Sequence, residues 1–496
     1  MTEYLESADD CVDRAIAAVG KNIVLGAPLG LGKPVQLINA FYRRACDDPS
    51  LNLRIMTALS LELPTPGSHI EQSLAGPILE RLFGDYEPLE YMKALRGGKL
   101  PDNVSITELY FKAGSMKAVP SAQQNYISSN YTHIARDMVD QGINVLAQLV
   151  AARETDKGLS ISMSCNPDTG SDVVRLLRET RPGSFVTIAQ VHDDLPFMEN
   201  DAEVGADEFD MVLRNPDYMK TLFAVPNAAV PLADYATAIH ASSLIPDGGT
   251  LQIGIGSLGD AVAHACIVRH ETGSEYRGML DALTHTPCAI REEGKPFERG
   301  LYVSTEMFVN GMMHLMEHGI VKRRVYDSLD LQRAINTGEI GELVDERLLS
   351  WGRASGFLPR SLTAEVVERL SHWGIVPVGT TVRGDTLMLG DAAVANDLED
   401  PATRSAWRDA VGGTPLRNGR VLHGGFFLGP RDFYQKLATL DAAGQEKICM
   451  TSVLRTNQLL QDYELYCAQR QDARFINTGM IVTLSGAVAS DAPVSY

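Results

Sequence analysis

Ile23-Val-Leu-Gly26-Ala-Pro-Leu-Gly30 runs into the helical segment Pro34–Arg44 and then into a second apolar run, Leu53-Arg-Ile-Met56. The same order stands in the second half of the chain. There Leu251-Gln-Ile-Gly254-Ile-Gly256-Ser-Leu-Gly259 leads into Asp260–His270 and, past an Arg277-Gly turn, into Met279-Leu-Asp-Ala282. Each copy reads as strand, glycine-rich turn, helix, polar turn and next strand. Strands joined through a helix run in the same direction, because a tight hairpin can join only antiparallel ones. Asn22–Leu25, Phe185–Ala189 and Thr250–Gly254 are short apolar runs of the kind buried on both faces of a parallel sheet. The expected fold is α/β, built as two related, open, mostly parallel α/β domains.

At 496 residues the chain exceeds what one hydrophobic core usually organises. Val225-Pro-Asn-Ala-Ala-Val-Pro231 carries two prolines in seven residues and is the best linker, which places the domains at 1–228 and 229–496. A formal net charge of -19 argues against nucleic-acid partners, whose phosphates are neutralised by Lys and Arg. The opening MTEYLESADDCVDRAIAAVG is acidic where a leader is basic, and no apolar run approaches membrane-spanning length. A soluble, cytoplasmic protein with no membrane partner is expected. The seven cysteines are scattered and form no C-x-x-C pair, which fits reduced thiols rather than a disulfide frame or a zinc site.

Several motifs come close to known signatures. Gly26–Pro34, GAPLGLGKP, approaches a P-loop, but its spacing is one residue too long and Pro34 stands where the magnesium-binding hydroxyl belongs. A tight strand-to-helix turn with Pro34 at the first helical position accounts for it. Gly254-Ile-Gly256-Ser-Leu-Gly259 fits G-x-G-x-x-G after a strand, with Asp281 as a candidate ribose-binding acid, so a nicotinamide-dependent oxidoreductase stays open. Without any dinucleotide, the same small residues let backbone N–H groups at a helix start approach an anion. His314-Leu-Met-Glu317-His318 has the H-x-x-E-H spacing of a zinc site, but it is hemmed in by Gly311 and Gly319 and has no third ligand; surface histidines and no metal are expected. Lys322-Arg-Arg324, the densest basic cluster after this segment, reads as a run of solvated cations at a helix end, with the facing of an anionic ligand's phosphates as the alternative.

Gly300–Gly311 is strand-like through Leu301–Ser304 and then turns into a helix over Met312–His318. That places Glu306 at the carboxyl edge of a parallel strand, where open α/β sheets bind ligands. Glu306 is then either a reactive carboxylate or an acid that complements a helix N-terminus.

Two stretches resemble signatures of the acetyl-CoA hydrolase/CoA-transferase family, which includes 4-hydroxybutyrate and succinate:acetate CoA-transferases. They are Asp247-Gly-Gly-Thr-Leu-Gln-Ile-Gly-Ile-Gly-Ser-Leu-Gly-Asp-Ala-Val262 and Ser304-Thr-Glu306-Met-Phe-Val-Asn-Gly311. Gly26–Gly30, Val191-His-Asp-Asp-Leu-Pro196 and Arg474-Phe-Ile-Asn477 through Asp491 also resemble family elements, although relatives often carry asparagine where His192 stands. The resemblance implies an active site between two α/β domains, with Glu306 attacking an acyl-CoA thioester and becoming a glutamyl-CoA thioester. A second carboxylic acid then takes up the CoA. Coenzyme A and acyl-CoA are substrates in this scheme, and no resident cofactor is expected.

Gly254, Gly256, Ser257 and Leu258 are the expected CoA-binding and oxyanion-stabilising turn, and Asn477 is the asparagine brought to the site. If water reaches the intermediate, the same site is an acyl-CoA hydrolase. The family pattern continues beyond Asp491 with a G-G-x-x-[DN]-F turn, so a shortened C-terminal domain is expected, and an inactive CoA-binding relative is the reading of a different class. Gly424-Gly425 through Asp432-Phe433 has similar residues at the wrong spacing and is not given that role. Residues 364–424 have no clear counterpart in the family's shorter members, and Met480–Leu484 is expected to end a parallel sheet with a bare edge, leaving homo-oligomerisation open.

Overall fold

The computed structural model describes residues 2–112, 114–156, 158–226, 229–284, 294–479 and 481–489. The chain forms two compact units. One holds residues 1–322, 422–461 and 473–496, the other 323–421 and 462–472.

The first nine strands are β1 (Glu3–Leu5), β2 (Asn22–Leu29), β3 (Asn52–Ala58), β4 (Val104–Glu108), β5 (Val145–Thr155), β6 (Gly158–Ser162), β7 (Val186–Val191), β8 (Glu203–Gly205) and β9 (Met211–Leu213). They make one sheet in the order β1-β9-β7-β5-β2-β3-β4, with β6 paired to β5 and β8 to β6. Every pairing along that main path is parallel. Helices cover both faces, so β7 is buried at all six positions, in keeping with its unbroken apolar sequence. The strands that follow are β10 (Thr250–Ile253), β11 (Tyr302–Phe308), β12 (Thr381–Arg383), β13 (Thr386–Leu389), β14 (Ala392–Ala395), β15 (Leu422–Phe427), β16 (Ile448–Met450), β17 (Arg474–Ile476), β18 (Ile481–Val482) and β19 (Val488–Ala489). Five of them form a second all-parallel open sheet, β16-β15-β11-β10-β17, within the first unit. The α/β class and the open parallel sheets are as the sequence implies.

Three local expectations change. Met279–Ala282 is helical, inside Gly273–Leu283, because Tyr276 and Leu280, four apart on one helix face, are buried and the Tyr276 hydroxyl is held by Ser242. The strand that follows β10 in its sheet is therefore β11. At the other end, Ile481–Val482 pairs antiparallel with Val488–Ala489 as a hairpin, and β17 forms the sheet edge. Gly486, at φ +87°, supplies the left-handed turn that reverses the chain; Met480, Ser490 and Asp491 lie outside the described residues. Of the three basic residues Lys322 is exposed as expected, but Arg323 is buried and Arg324 half-buried, and they donate to the carbonyls of Gln469 and Leu416 at 2.9 and 3.1 Å. The linker around Val225 has neither helix nor strand in its described residues, and a helix begins at Leu232.

The second unit accounts for most of the 364–424 insertion and has a core of its own around Leu348, Leu370 and Trp407. In it β12, β13 and β14 form an antiparallel meander. No helix among the described residues is long and apolar enough to cross a membrane.

Candidate active site

Parallel register fixes what stands beside Glu306. Thr305 pairs with Gly424 and Met307 with Phe426, so Glu306 faces Gly425 across β15. On the other side Thr250 pairs with Tyr302 and Leu251 with Val303, and counting on sets Gly254 level with Glu306. Ile253 pairs with Ile476, which brings Asn477 beside Gly254. Glu306, Gly254 and Asn477, far apart in sequence, therefore share one carboxyl edge.

Strand β11 continues to Phe308 and the next helix spans Asn310–Glu317, so Glu306 is a strand residue and not a helix N-terminal acid. Its side chain is half-buried, and Asn457 Nδ2 donates to Oε2 at 2.5 Å. Burial raises its pKa because the charged form loses hydration, and the Asn457 hydrogen bond opposes that rise. Glu306 is thus a partly desolvated carboxylate held in one orientation by a neutral donor. Gly425 allows the strands to meet there, since a Cβ at that position would lie 2.8 Å from the Glu306 carbonyl oxygen.

The glycine turn contributes less uniformly than its sequence implies. The Gly254 amide is spent on the sheet, donating to Ile476 O at 2.8 Å. Gly256, at φ +94°, turns the chain into the helix Ser257–Glu271, whose first-turn amides at Ser257 and Leu258 have no intrahelical acceptor. Gly259 lets that helix cross the strand end, as a Cβ there would stand 2.1 Å from Gly254 O. Ser257 Oγ donates to Asp234 at 2.6 Å, and Asn477 exchanges hydrogen bonds with Gln252 at 3.1 Å in both directions.

Behind Glu306 lies a buried group of titratable side chains that sequence reasoning did not identify. Asp168 sits in the first turn of the helix Pro167–Thr180 and is fully buried. Tyr131 Oη donates to its Oδ2, and Asn166 Nδ2 stands 3.3 and 3.4 Å from its two oxygens. Burial, reinforced by the nearby Glu306, raises its pKa to about 7 against these donors. Lys33, in the turn after β2, is also buried; it donates to the carbonyls of Ala58 and Leu59, and burial lowers its pKa to about 7. Asn457 closes a four-residue helix with no motif around it, so nothing in the sequence could have flagged it. Asn166-Pro167-Asp168 does show a helix start, with Pro in the first turn.

The remaining motifs are structural. His192 is buried, its Nδ1 accepting from Asp194 N at 3.2 Å and its Nε2 donating to Lys220 O at 2.7 Å; burial lowers its pKa and keeps it neutral. His314 pairs with Glu317 at 3.0 Å and His318 with Glu271 at 2.6 Å, and no cluster that could hold a metal ion is found among the described residues. Asp281 lies within the helix Gly273–Leu283 rather than at a strand end, which removes the ribose-binding acid of the dinucleotide reading.

No family model matches the chain, and no curated protein matches it. Solved structures do. RipA from Yersinia pestis superposes with a TM-score of 0.54 at 16% identity, over 98% of this chain and 75% of its own. A RipA point mutant gives 0.55 at 15%, over 100% and 75%. The fold is shared with RipA. A 4-hydroxybutyrate CoA-transferase from Porphyromonas gingivalis superposes at 0.43 with 14% identity, over 92% and 69%, a likeness too slight to argue from.

Proposed function

We propose that the protein transfers coenzyme A from a short-chain acyl-CoA to a carboxylic acid through a glutamyl-CoA thioester on Glu306. The observation that carries this reading is a half-buried strand carboxylate oriented by Asn457, level with the glycine turn that begins a helix. Partial desolvation makes a carboxylate a better nucleophile, and a neutral hydrogen bond fixes its direction without quenching its charge. Glu306 attacks the thioester carbonyl, the thiolate leaves, and an acyl-glutamyl anhydride remains. The thiolate then attacks the glutamyl carbonyl, expelling the acyl group as its carboxylate and leaving CoA on Glu306. The Ser257 and Leu258 amides, with the positive end of their helix, are assigned to the oxyanion of each tetrahedral intermediate. Asn477 and the Gly254–Gly256 backbone line the same edge and are assigned to CoA contact. Hydrolysis of the same intermediate by water is the second reading, favoured by the partial exposure of Glu306.

Intact-protein mass spectrometry after incubation with acetyl-CoA tests this. A CoA-sized adduct on the wild type, absent from Glu306→Ala, is the expected result. CoA binding with no adduct on either protein would instead assign the chain to non-catalytic CoA binding.

A further inference from the structure

Lys33 has no part in that reaction, and it lines a pocket at the carboxyl edge of the first sheet. The order β1-β9-β7-β5-β2-β3-β4 grows outward from β2 on one side, through β3 and β4, and from β5 on the other, through β7 and β9. The chain therefore reverses its direction of travel between β2 and β5, the place where open parallel sheets hold ligands, just outside the carboxyl ends of their strands. A pocket of about 400 Å³, its solvent-open mouth included, lies there. Gly30, Leu31 and Lys33 line it from the end of β2, Leu149 from β5 and His192 from the end of β7.

The turn that carries Lys33 is fixed. Gly30, at φ +64°, turns the chain out of β2, and Gly32 N donates to Asn166 Oδ1 at 2.9 Å, where a Cβ on Gly32 would strike the same asparagine. The Lys33 side chain is 3% exposed. Two of its three ammonium hydrogens go to the carbonyls of Ala58 and Leu59, the latter at 3.0 Å, and the third has no acceptor among the described residues. Glu108 and Asp168 act on its charge through space, but neither forms an ion pair with it; Glu108 accepts from Ser60 and Asp168 from Tyr131. His192 and Glu87, which also line the pocket, are engaged elsewhere. Both ring nitrogens of His192 are bonded to main chain, and Glu87 accepts from Gln36 and Asn39 at 3.1 and 3.0 Å. Beside the ammonium the walls are apolar, from buried Leu31, Leu149 and Phe223. A buried cation with an unused donor and no ion pair calls for an anion, and apolar walls call for a ligand that is charged at one end only.

We propose that this pocket binds a short-chain aliphatic carboxylate, with its carboxyl group on the remaining Lys33 N–H and its chain against Leu31, Leu149 and Phe223. A phosphate, with three anionic oxygens, would need more donors than Lys33 supplies. The site is independent of the role given to Glu306, which stands on the other sheet.

Saturation-transfer NMR titration of butyrate against the full chain tests this, with butyramide as the uncharged probe of similar shape. Butyrate is expected to bind and butyramide to bind about tenfold more weakly or worse, as for loss of one charge-assisted hydrogen bond. Lys33→Met, which keeps an unbranched side chain without the charge, is expected to weaken butyrate by a similar factor. Leu222→Trp fills the pocket from its half-buried rim and leaves Lys33 in place; it is expected to weaken butyrate as well, and it decides the matter if Lys33→Met does not fold. Glu306→Ala is expected to bind butyrate as the wild type does, so failure of the glutamyl-CoA reaction leaves this outcome untouched. Butyrate that does not bind the wild type, that binds folded Lys33→Met or Leu222→Trp unchanged, or that loses its binding only in Glu306→Ala overturns the proposal.

Discussion

Asn457 illustrates how one neutral side chain tunes a reactive one. Its amide favours the ionised form of Glu306 against the effect of burial, so its removal raises the Glu306 pKa. Asn457→Ala is expected to move the acid limb of the kcat/KM profile to higher pH and lower kcat by about 10- to 100-fold, as for loss of a positioning contact. A pH–rate series on the purified variant checks both. Asp168 has the opposite signature in stability. Its folded pKa of about 7 lies above its ordinary 3.8, so the folded state binds the proton more tightly. Stability from that proton is complete below pH 4 and is lost as pH rises through 7. Asp168→Asn, which keeps the acceptor for Tyr131, is expected to flatten the dependence of Tm on pH between 4 and 8 and to melt above the wild type at pH 8.

At the level of strands and turns, glycine decides how closely elements meet. Gly425 lies where β15 passes the Glu306 backbone, and Gly425→Ala is expected to cost about 1–3 kcal/mol by overpacking, read as a lower midpoint in denaturant, with a loss of adduct formation as β11 shifts. The parallel direction of the strands was legible because β2 and β10 are short apolar runs that each lead into a helical stretch; the order of the strands within each sheet was not. Gly254, Gly256 and Glu306 were singled out as candidates for a related reason, since each sits near the carboxyl end of such a run. Asn457 and Asp168 were not, because their proximity to Glu306 arises from packing between the two sheets and leaves no local pattern. Thr451 donating to Asp201 at 2.7 Å and Phe427 N donating to Cys165 O at 3.1 Å belong to the same seam, which no periodicity encodes. Met279–Ala282 was misread as a strand because four apolar-rich residues fit a strand and a helix equally well, and only Tyr276 one turn earlier decides between them.

Across the whole molecule, the unit holding residues 323–421 and 462–472 has its own core, and that makes it separable in stability from the unit that carries Glu306. Trp407 is the largest of its fully buried side chains, and its indole N–H donates to Ile375 O at 2.7 Å. Trp407→Ala removes both the packing and the hydrogen bond, at a cost of about 3–5 kcal/mol. Cooperative opening follows the boundaries of contiguous cores. Hydrogen exchange measured by mass spectrometry is therefore expected to lose protection across 323–421 and 462–472 in this variant, while β10, β11 and β15 keep theirs. The proposed glutamyl-CoA adduct, whose assigned side chains all lie in the first unit, is then expected still to form on Trp407→Ala at low temperature. Loss of protection spreading evenly through both units would mean that they unfold as one, and the 323–421 segment would then be part of what holds Glu306 in place.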